Sequence, residues 1–163
     1  MQTLPIARDR FVRHGHLEVP RSAEQQYEAA KTYLSRDPLE RRLFQKLEHP
    51  ADGRHYVLAI NDRNNDYFDP AANTIAWDPY SALRTTNGGR QSPALGLGHE
   101  VDHAVESRAK ALRLMNHFDA RYDTAEERRV ILGSETHAAR MLGEGTRRDH
   151  AGSVYRVASP VMR

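Results

Sequence analysis

The chain has 163 residues, with 24 basic and 22 acidic side chains, a formal net charge of +2 and no cysteine. This length suits a single domain with its own hydrophobic core. The balanced charge argues against a nucleic-acid partner, and the lack of cysteine excludes a disulfide scaffold and thiolate metal ligands. No apolar run reaches the length of a membrane-spanning helix. We therefore expect a monomer that binds neither nucleic acid nor a membrane.

The N-terminal segment is polar and interrupted by prolines. Residues 1–21 contain Pro5, Pro20 and several arginines, a composition that predicts a loosely ordered arm. Helix starts follow at Ser22, which opens a capping-box pattern, and at Asp37-Pro38. Residues 22–163 are predicted to form one domain.

Two short apolar runs in the middle of the chain predict strands. Residues 56–60 and 74–77 have the length and composition of buried strands, and residues 61–69 between them are rich in Asn and Asp. Residues 84–92 contain two consecutive glycines and predict a flexible loop. Helices are predicted further on, over residues 93–115 and 124–142, with a short strand near residues 154–157. This order of elements predicts an α+β domain with a small sheet.

A metal-site signature lies inside the helix predicted over residues 93–115. His99-Glu100-x-x-His103 places two imidazoles on one face of a helix. Two imidazoles at this spacing can hold one metal ion, and Glu100 can reach a water on that ion. Leu97 and Val101 form an apolar stripe that a fully solvated helix would not need. Thiolate ligands are absent, and Zn²⁺ is the usual occupant of His and carboxylate sites that keep an open position, so Zn²⁺ is the expected metal.

A catalytic zinc ion takes three protein ligands, so one more is expected downstream. The candidates are His117, Asp119, Glu126, Glu127, Glu135 and His137. Glu127 and Glu135 share a helix face with Ile131, and a carboxylate buried there needs a partner or a metal. Thr124-x-x-Glu127 is also a capping-box pattern, so Glu127 could be only a cap. Glu135 could then be the ligand, or could orient a ligand histidine.

The metal-site helix and the segment after it resemble a known group of proteases. Thr124-Ala125-Glu126-Glu127-Arg128, placed after a His-Glu-x-x-His helix, resembles the clostridial neurotoxin light chains. Residues 73–79, 92–100 and 135–147 are similar to bacterial type III effector zinc metalloproteases of the NleD and XopG kind. The resemblance covers about residues 56–157. It implies a zincin-like fold.

Carried over by position, the resemblance assigns the metal ligands and the base. It implies that His99, His103 and Glu127 bind zinc and that Glu100 activates a zinc-bound water.

The same resemblance implies residues that assist the transition state. Arg147 occupies the position of an arginine that lines the site in the toxin light chains. His150 stands where those proteins have a tyrosine, and Tyr155 could serve instead.

The resemblance also implies a function and a setting. We expect a zinc-dependent endopeptidase that a bacterium secretes through a type III system and that cleaves a host protein inside the host cell. One alternative is another zinc hydrolase, such as an amidase, although such enzymes typically use a cysteine ligand that this chain lacks. A second alternative is a non-catalytic binding domain.

The predicted strand at residues 73–78 suggests how substrate binds. In so small a sheet we expect this strand to lie at an edge, where it offers unpaired N–H and C=O groups. A substrate peptide could pair with it in an extended conformation. The cleft would then run between this strand and the His99–His103 helix.

Overall fold

The computed structural model describes residues 10–163 and has the predicted α+β composition. Ten strands are assigned in the described part of the chain: Phe11–His14 (β1), Leu17–Pro20 (β2), Tyr56–Ile60 (β3), Tyr67–Asp69 (β4), Thr74–Trp77 (β5), Ser81–Arg84 (β6), Arg90–Gln91 (β7), Phe118–Asp119 (β8), Asp123–Thr124 (β9) and Ser153–Arg156 (β10). The largest sheet has the order β1-β2-β3-β5-β4. Its inner strands β2, β3 and β5 are parallel, and the edge strands β1 and β4 are antiparallel to their neighbours.

Six α-helices are assigned among residues 10–163: Glu24–Leu34 (α1), Pro38–Glu48 (α2), Pro93–Val105 (α3), Arg108–Met115 (α4), Ala125–Val130 (α5) and Thr136–Leu142 (α6). A 3₁₀ turn at Arg21–Ala23 precedes α1, and a π-helical turn at Ile131–Glu135 joins α5 to α6. The predicted helix ends at Ser92, Thr124 and Gly143 are confirmed.

Helix α3 lies at the centre of the core and is held at both ends. It packs against α1, α2 and the large sheet, and its Leu97 and Val101 are fully buried. Trp77 Nε1 on β5 donates to the Pro93 carbonyl at 2.9 Å. Tyr56 Oη on β3 donates to the Ala104 carbonyl at 3.1 Å. These two hydrogen bonds join the sheet to both ends of the helix that carries the metal-site signature.

The prediction of a loosely ordered arm over residues 1–21 is wrong for residues 11–20, which form β1 and β2. Residues 1–9 lie outside the described residues. Leu17 and Val19 alternate along β2 and are both fully buried. Gly15 makes the connecting turn with φ of +60°, and a Cβ there would lie 2.1 Å from the Glu48 carbonyl oxygen. The polar residues around β2 gave no strand signal, because β2 is stabilised by its parallel partner β3, about 40 residues further along the chain.

Two predicted segments in the second half of the chain have a different structure. The helix predicted over residues 93–115 ends at Val105, because Glu106 and Ser107 are extended and α4 begins afresh at Arg108. The loop predicted over residues 84–92 is shorter, since residues 85–89 form the turn of a hairpin between β6 and β7, and β10 pairs on the other side of β6.

The expectation that residues 73–78 form an edge strand is also wrong. β5 pairs with β3 on one side and with β4 on the other, so it is an inner strand. The edge strand on this side of the sheet is β4, which has three residues and comes directly after the turn-rich residues 61–66.

Candidate metal centre

Two histidines one helical turn apart form the base of the site. Ser92 caps α3 by accepting a hydrogen bond from Leu95 N at 3.2 Å, and Pro93 takes the first helical position. This start directs His99 and His103 to the same side of the helix, with their Nε2 atoms 3.0 Å apart. His99 is only 5% exposed.

Glu127 completes a group of three converging donor atoms. Its Oε2 lies 2.8 Å from His99 Nε2, and its Oε1 lies 3.3 Å from His103 Nε2. The ligand atoms of the three residues all lie within 4.8 Å of one another. Two imidazole nitrogens and a carboxylate oxygen are donors that zinc accepts at catalytic sites. The residues therefore fit a divalent metal ion.

Each histidine also contacts a second carboxylate on its outer side. His99 Nδ1 lies 2.9 Å from Glu135 Oε1, and His103 Nδ1 lies 3.1 Å from Glu126 Oε1. A carboxylate that accepts the Nδ1–H leaves Nε2 free to bind a metal. The structure thus puts Glu135 behind His99 and Glu127 beside both Nε2 atoms. The role of Glu126 behind His103 was not anticipated.

The other candidate ligands have different partners. Asp119 accepts the backbone N–H groups of Arg121 and Tyr122, both at 2.9 Å. His137 Nδ1 lies 3.0 Å from Asp37 Oδ1.

The π-helical turn Ile131–Glu135 determines where Glu135 points. A π turn inserts an extra residue into a helix and changes the angular position of all residues after it. Gly133 has non-helical backbone angles inside this turn. As a result α5 presents Glu127 to the histidines from one side, while Glu135 approaches His99 from the other.

The surrounding carboxylates make the site favourable for positive charge. Burial alone would lower the pKa of His99, but hydrogen bonds to Glu127 and Glu135 raise it to about 10. The pKa of His103 is raised to about 9, since hydrogen bonds to Glu126 and Glu127 outweigh the burial penalty. The hydrogen bonds from both imidazoles outweigh burial at Glu127 and hold its pKa well below the usual range. The negative charge of the same carboxylates would stabilise a bound cation.

Glu100 lies on the cavity side of α3, beside the three donor atoms. One carboxylate oxygen is 4.0 Å from His99 Nε2, and the residue is 7% exposed. Burial raises the pKa of its carboxyl group, and the charges of His99 and His103 partly offset this rise. A raised carboxyl pKa suits a group that must accept a proton and release it again.

Two glycines in α3 make room for buried carboxyl groups. A Cβ at Gly96 would lie 2.7 Å from Asp66 Oδ2, and a Cβ at Gly98 would lie 2.7 Å from Glu40 Oε2. Burial raises the pKa of Asp66 to about 7 and that of Glu40 to about 8. Neither carboxyl group was predicted, although glycine inside a helix was a signal of close packing.

Arg147 is fixed beside the site. Its Nε and Nη2 donate to the two oxygens of Glu135 at 2.9 and 2.5 Å, and Nη2 lies 3.2 Å from His99 Nδ1. His150 also faces the cavity, with Nε2 3.6 Å from Glu127 Oε2. Tyr155 is instead in β10, where Arg90 lies over its ring at 6.0 Å from the centroid. The structure therefore brings Arg147 and His150, rather than Tyr155, to the candidate site.

The candidate site opens into a cavity of about 440 Å³. The cavity is lined by the three donor residues, by Glu100, Arg147 and His150, and by residues of strand β4 and helix α4. No helix in residues 10–163 is both long enough and apolar enough to span a membrane. Comparisons with known protein families, with curated proteins and with solved structures found no match.

Proposed function

We propose that this protein is a zinc-dependent endopeptidase with a zincin-like catalytic domain. The observation that carries the proposal is the convergence of His99, His103 and Glu127 beside Glu100 in one cavity. Three protein ligands, an adjacent carboxylate and an open side form the pattern of a catalytic rather than a structural zinc site. Zinc bound here would supply a Lewis acid that polarises water and the substrate carbonyl.

The protein's own groups would move the proton and stabilise charge. Glu100 would accept a proton from the attacking water and deliver it to the leaving amine. Glu135 and Glu126 would hold the two imidazoles in the tautomer that leaves Nε2 free. Arg147 lines the cavity with a fixed positive charge, which would stabilise the developing oxyanion, and His150 would provide a further donor on the same side.

The substrate would bind as an extended peptide along β4. One edge of β4 pairs with β5, and its Tyr67 and Phe68 line the cavity that contains His99. An edge strand beside a peptidase centre offers main-chain groups that can align a peptide across the metal. This proposal assigns to β4 the role first expected of residues 73–78.

The cellular setting rests on the sequence resemblance alone. We propose that a bacterium secretes the protein through a type III system and that it cleaves a host protein inside the host cell. Main-chain pairing depends little on the sequence of the peptide, so the host substrate would be selected by side-chain pockets.

One experiment tests activity and metal together. Native protein and Glu100→Gln are incubated with host-cell lysate, new N-termini are identified by mass spectrometry, and metal content is measured in parallel. We expect about one zinc per chain in both proteins and new N-termini only with the native protein. His99→Ala should lose both the zinc and the cleavage. A zinc-loaded native protein that generates no new N-termini would contradict the proposal, and so would full zinc content in His99→Ala.

A further inference from the structure

One face of helix α4 forms a wall of the cavity. Arg108, Ala111, Leu112 and Met115 all line it, and their spacing of i, i+3, i+4 and i+7 defines a single helical stripe. None of the residues of α4 is buried. Leu112 is 46% exposed and Met115 is 42% exposed, so two large apolar side chains face the open cavity.

Other residues that line the cavity add further apolar surface. Phe68 and Pro70 contribute from β4 and from the turn after it. Isolated exposed apolar residues are common on protein surfaces and need no partner. Here they line the same cavity as the candidate metal centre.

A positive charge lies at one end of this apolar stripe. Arg108 Nη2 donates to the Pro70 carbonyl and to Asn73 Oδ1. Both acceptors are neutral, and among the described residues no carboxylate forms a salt bridge with Arg108. These hydrogen bonds join the start of α4 to the β4–β5 turn and so set the distance between α4 and β4 at this point. Because both acceptors are neutral, they do not compensate the charge of the guanidinium.

We propose that the cleft between α4 and β4 selects a peptide with a large apolar side chain near the scissile bond and an acidic side chain within reach of Arg108. The apolar side chain would cover Leu112 and Met115, which removes their surface from water together with its own. The acidic side chain would pair with the guanidinium of Arg108, whose hydrogen-bond acceptors Pro70 O and Asn73 Oδ1 are both neutral. This inference rests on the proposed peptidase function and defines the class of substrate that it acts on.

The apolar preference is tested with a proteome-derived peptide library digested by the zinc-loaded protein. Cleavage sites should be enriched in Leu, Ile, Met or Phe at one position beside the cut. For a matched pair of synthetic peptides with Leu or Ala at that position, kcat/KM should differ by about tenfold or more. Leu112→Glu or Met115→Glu should reduce this ratio severalfold with zinc content and melting temperature unchanged.

A matched control is available outside the cavity. Met141 on α6 is 52% exposed and does not line the cavity, so Met141→Glu should leave the ratio unchanged. For Arg108, peptides with Glu or Gln at the neighbouring positions should differ about two- to fivefold in kcat/KM, as expected for an exposed ion pair. Arg108→Gln should abolish that difference.

The failures of the two proposals can be distinguished. A zinc-loaded protein that cleaves no peptide contradicts the peptidase function itself. Cleavage without an apolar preference, or a preference that is unchanged in both Leu112→Glu and Met115→Glu, overturns the substrate class. Equal rates for the Glu and Gln peptides overturn the role of Arg108.

Discussion

Glu127 takes part in two interactions that looked like alternatives in the sequence. Its backbone N–H donates to Thr124 Oγ1 at 3.1 Å, so the predicted cap exists. Its side chain meanwhile points away from Thr124 to His99 and His103. Because the cap uses the main chain and the candidate site uses the carboxylate, the two roles can be separated by mutation.

We predict that three variants separate the contributions to metal binding. Glu127→Gln should weaken zinc affinity by about a hundredfold or more, since it replaces the carboxylate of the proposed ligand with a neutral, weakly coordinating amide. Glu135→Gln should weaken it by about 10- to 100-fold, because it changes only the partner of His99. Thr124→Ala should lose about 1 kcal/mol of stability and keep its zinc affinity. Competition with a chromophoric chelator measures all three. A larger loss in Glu135→Gln than in Glu127→Gln would transfer the ligand role to Glu135.

Glu40 is a buried carboxyl group outside the proposed mechanism. Both of its oxygens are buried and have no hydrogen-bond partner among the described residues. Burial, together with Asp102, Asp37 and Glu135, raises its pKa from 4.5 to about 8, although His99 acts in the opposite direction. The folded protein therefore holds a proton at Glu40 over a pH range in which the unfolded chain has released it.

We predict a pH-dependent effect of Glu40→Gln on stability. Because folding takes up a proton between pH 4.5 and about 8, the stability contributed by neutral Glu40 is complete below pH 4.5 and is lost as the pH rises to about 8. Glu40→Gln cannot ionise, so its melting temperature relative to the native protein should rise across this window and then level off. Thermal melts from pH 5 to pH 9 measure the difference. A difference that is constant with pH would contradict the raised pKa.

At the scale of elements, the short strand β4 has the largest consequence for function. It has only three residues and is held on one side by β5. Within residues 10–163, no strand of the large sheet pairs with its other edge, and its Tyr67 and Phe68 line the cavity that contains the candidate metal centre. The preceding section of chain also carries Asp66, which accepts the Asp78 N–H at 2.8 Å and so fixes the start of the strand.

We predict that N-methylation of the substrate backbone lowers cleavage at alternate positions, because the substrate pairs with β4. N-methylation removes one N–H from a substrate peptide, and in a strand only every second N–H points to the neighbouring strand. N-methyl groups at alternate positions should therefore lower kcat/KM by about five- to tenfold, with small effects between them. Scanning a cleaved peptide one position at a time measures this. Uniform tolerance of N-methylation would rule out main-chain pairing.

At the scale of the whole molecule, the candidate metal centre joins two distant segments. His99 and His103 come from α3, while Glu127 comes from α5 beyond α4 and the small β8–β9 sheet. Arg147 then connects the segment after α6 to Glu135. A metal ion at this point would add a further link between segments that hydrogen bonds and ion pairs already join, such as the 2.8 Å contact of Arg129 Nη1 with Asp102 Oδ1.

We predict that zinc stabilises the whole domain. Free zinc at about 100 times its dissociation constant would add about 2.7 kcal/mol to the free energy of unfolding. For a chain of this size that corresponds to a rise of about 5–10 °C in melting temperature, measured with zinc and with excess chelator. His99→Ala should show little response. An equal response in His99→Ala would mean that zinc binds elsewhere.

Local signals predicted much of this structure, and long-range contacts account for most of the errors. Caps at Ser92 and Thr124 and the apolar runs of β3 and β5 depend on neighbouring residues, and all were found from the sequence. The N-terminal strands, the short strand β4 and the inner position of β5 depend on pairing between distant segments.

The candidate site shows the same division between local and distant information. The i, i+4 spacing predicted that His99 and His103 share a helix face. The placement of Glu135 behind His99 also depends on the π turn, and the placement of Glu126 behind His103 depends on how α5 packs against α3. No local pattern in residues 131–135 revealed that turn.

The two glycines of α3 bear on when the candidate site comes into existence. Glycine is about 1 kcal/mol less favourable than alanine inside a helix. Gly96 and Gly98 therefore give the segment before His99 little tendency to be helical in the unfolded chain, where Asp66 and Glu40 are not yet beside it. The histidines acquire their shared face only with the tertiary fold. A metal ion that needs that face would have little affinity for the unfolded ensemble, so nearly all of its binding free energy would favour the folded state.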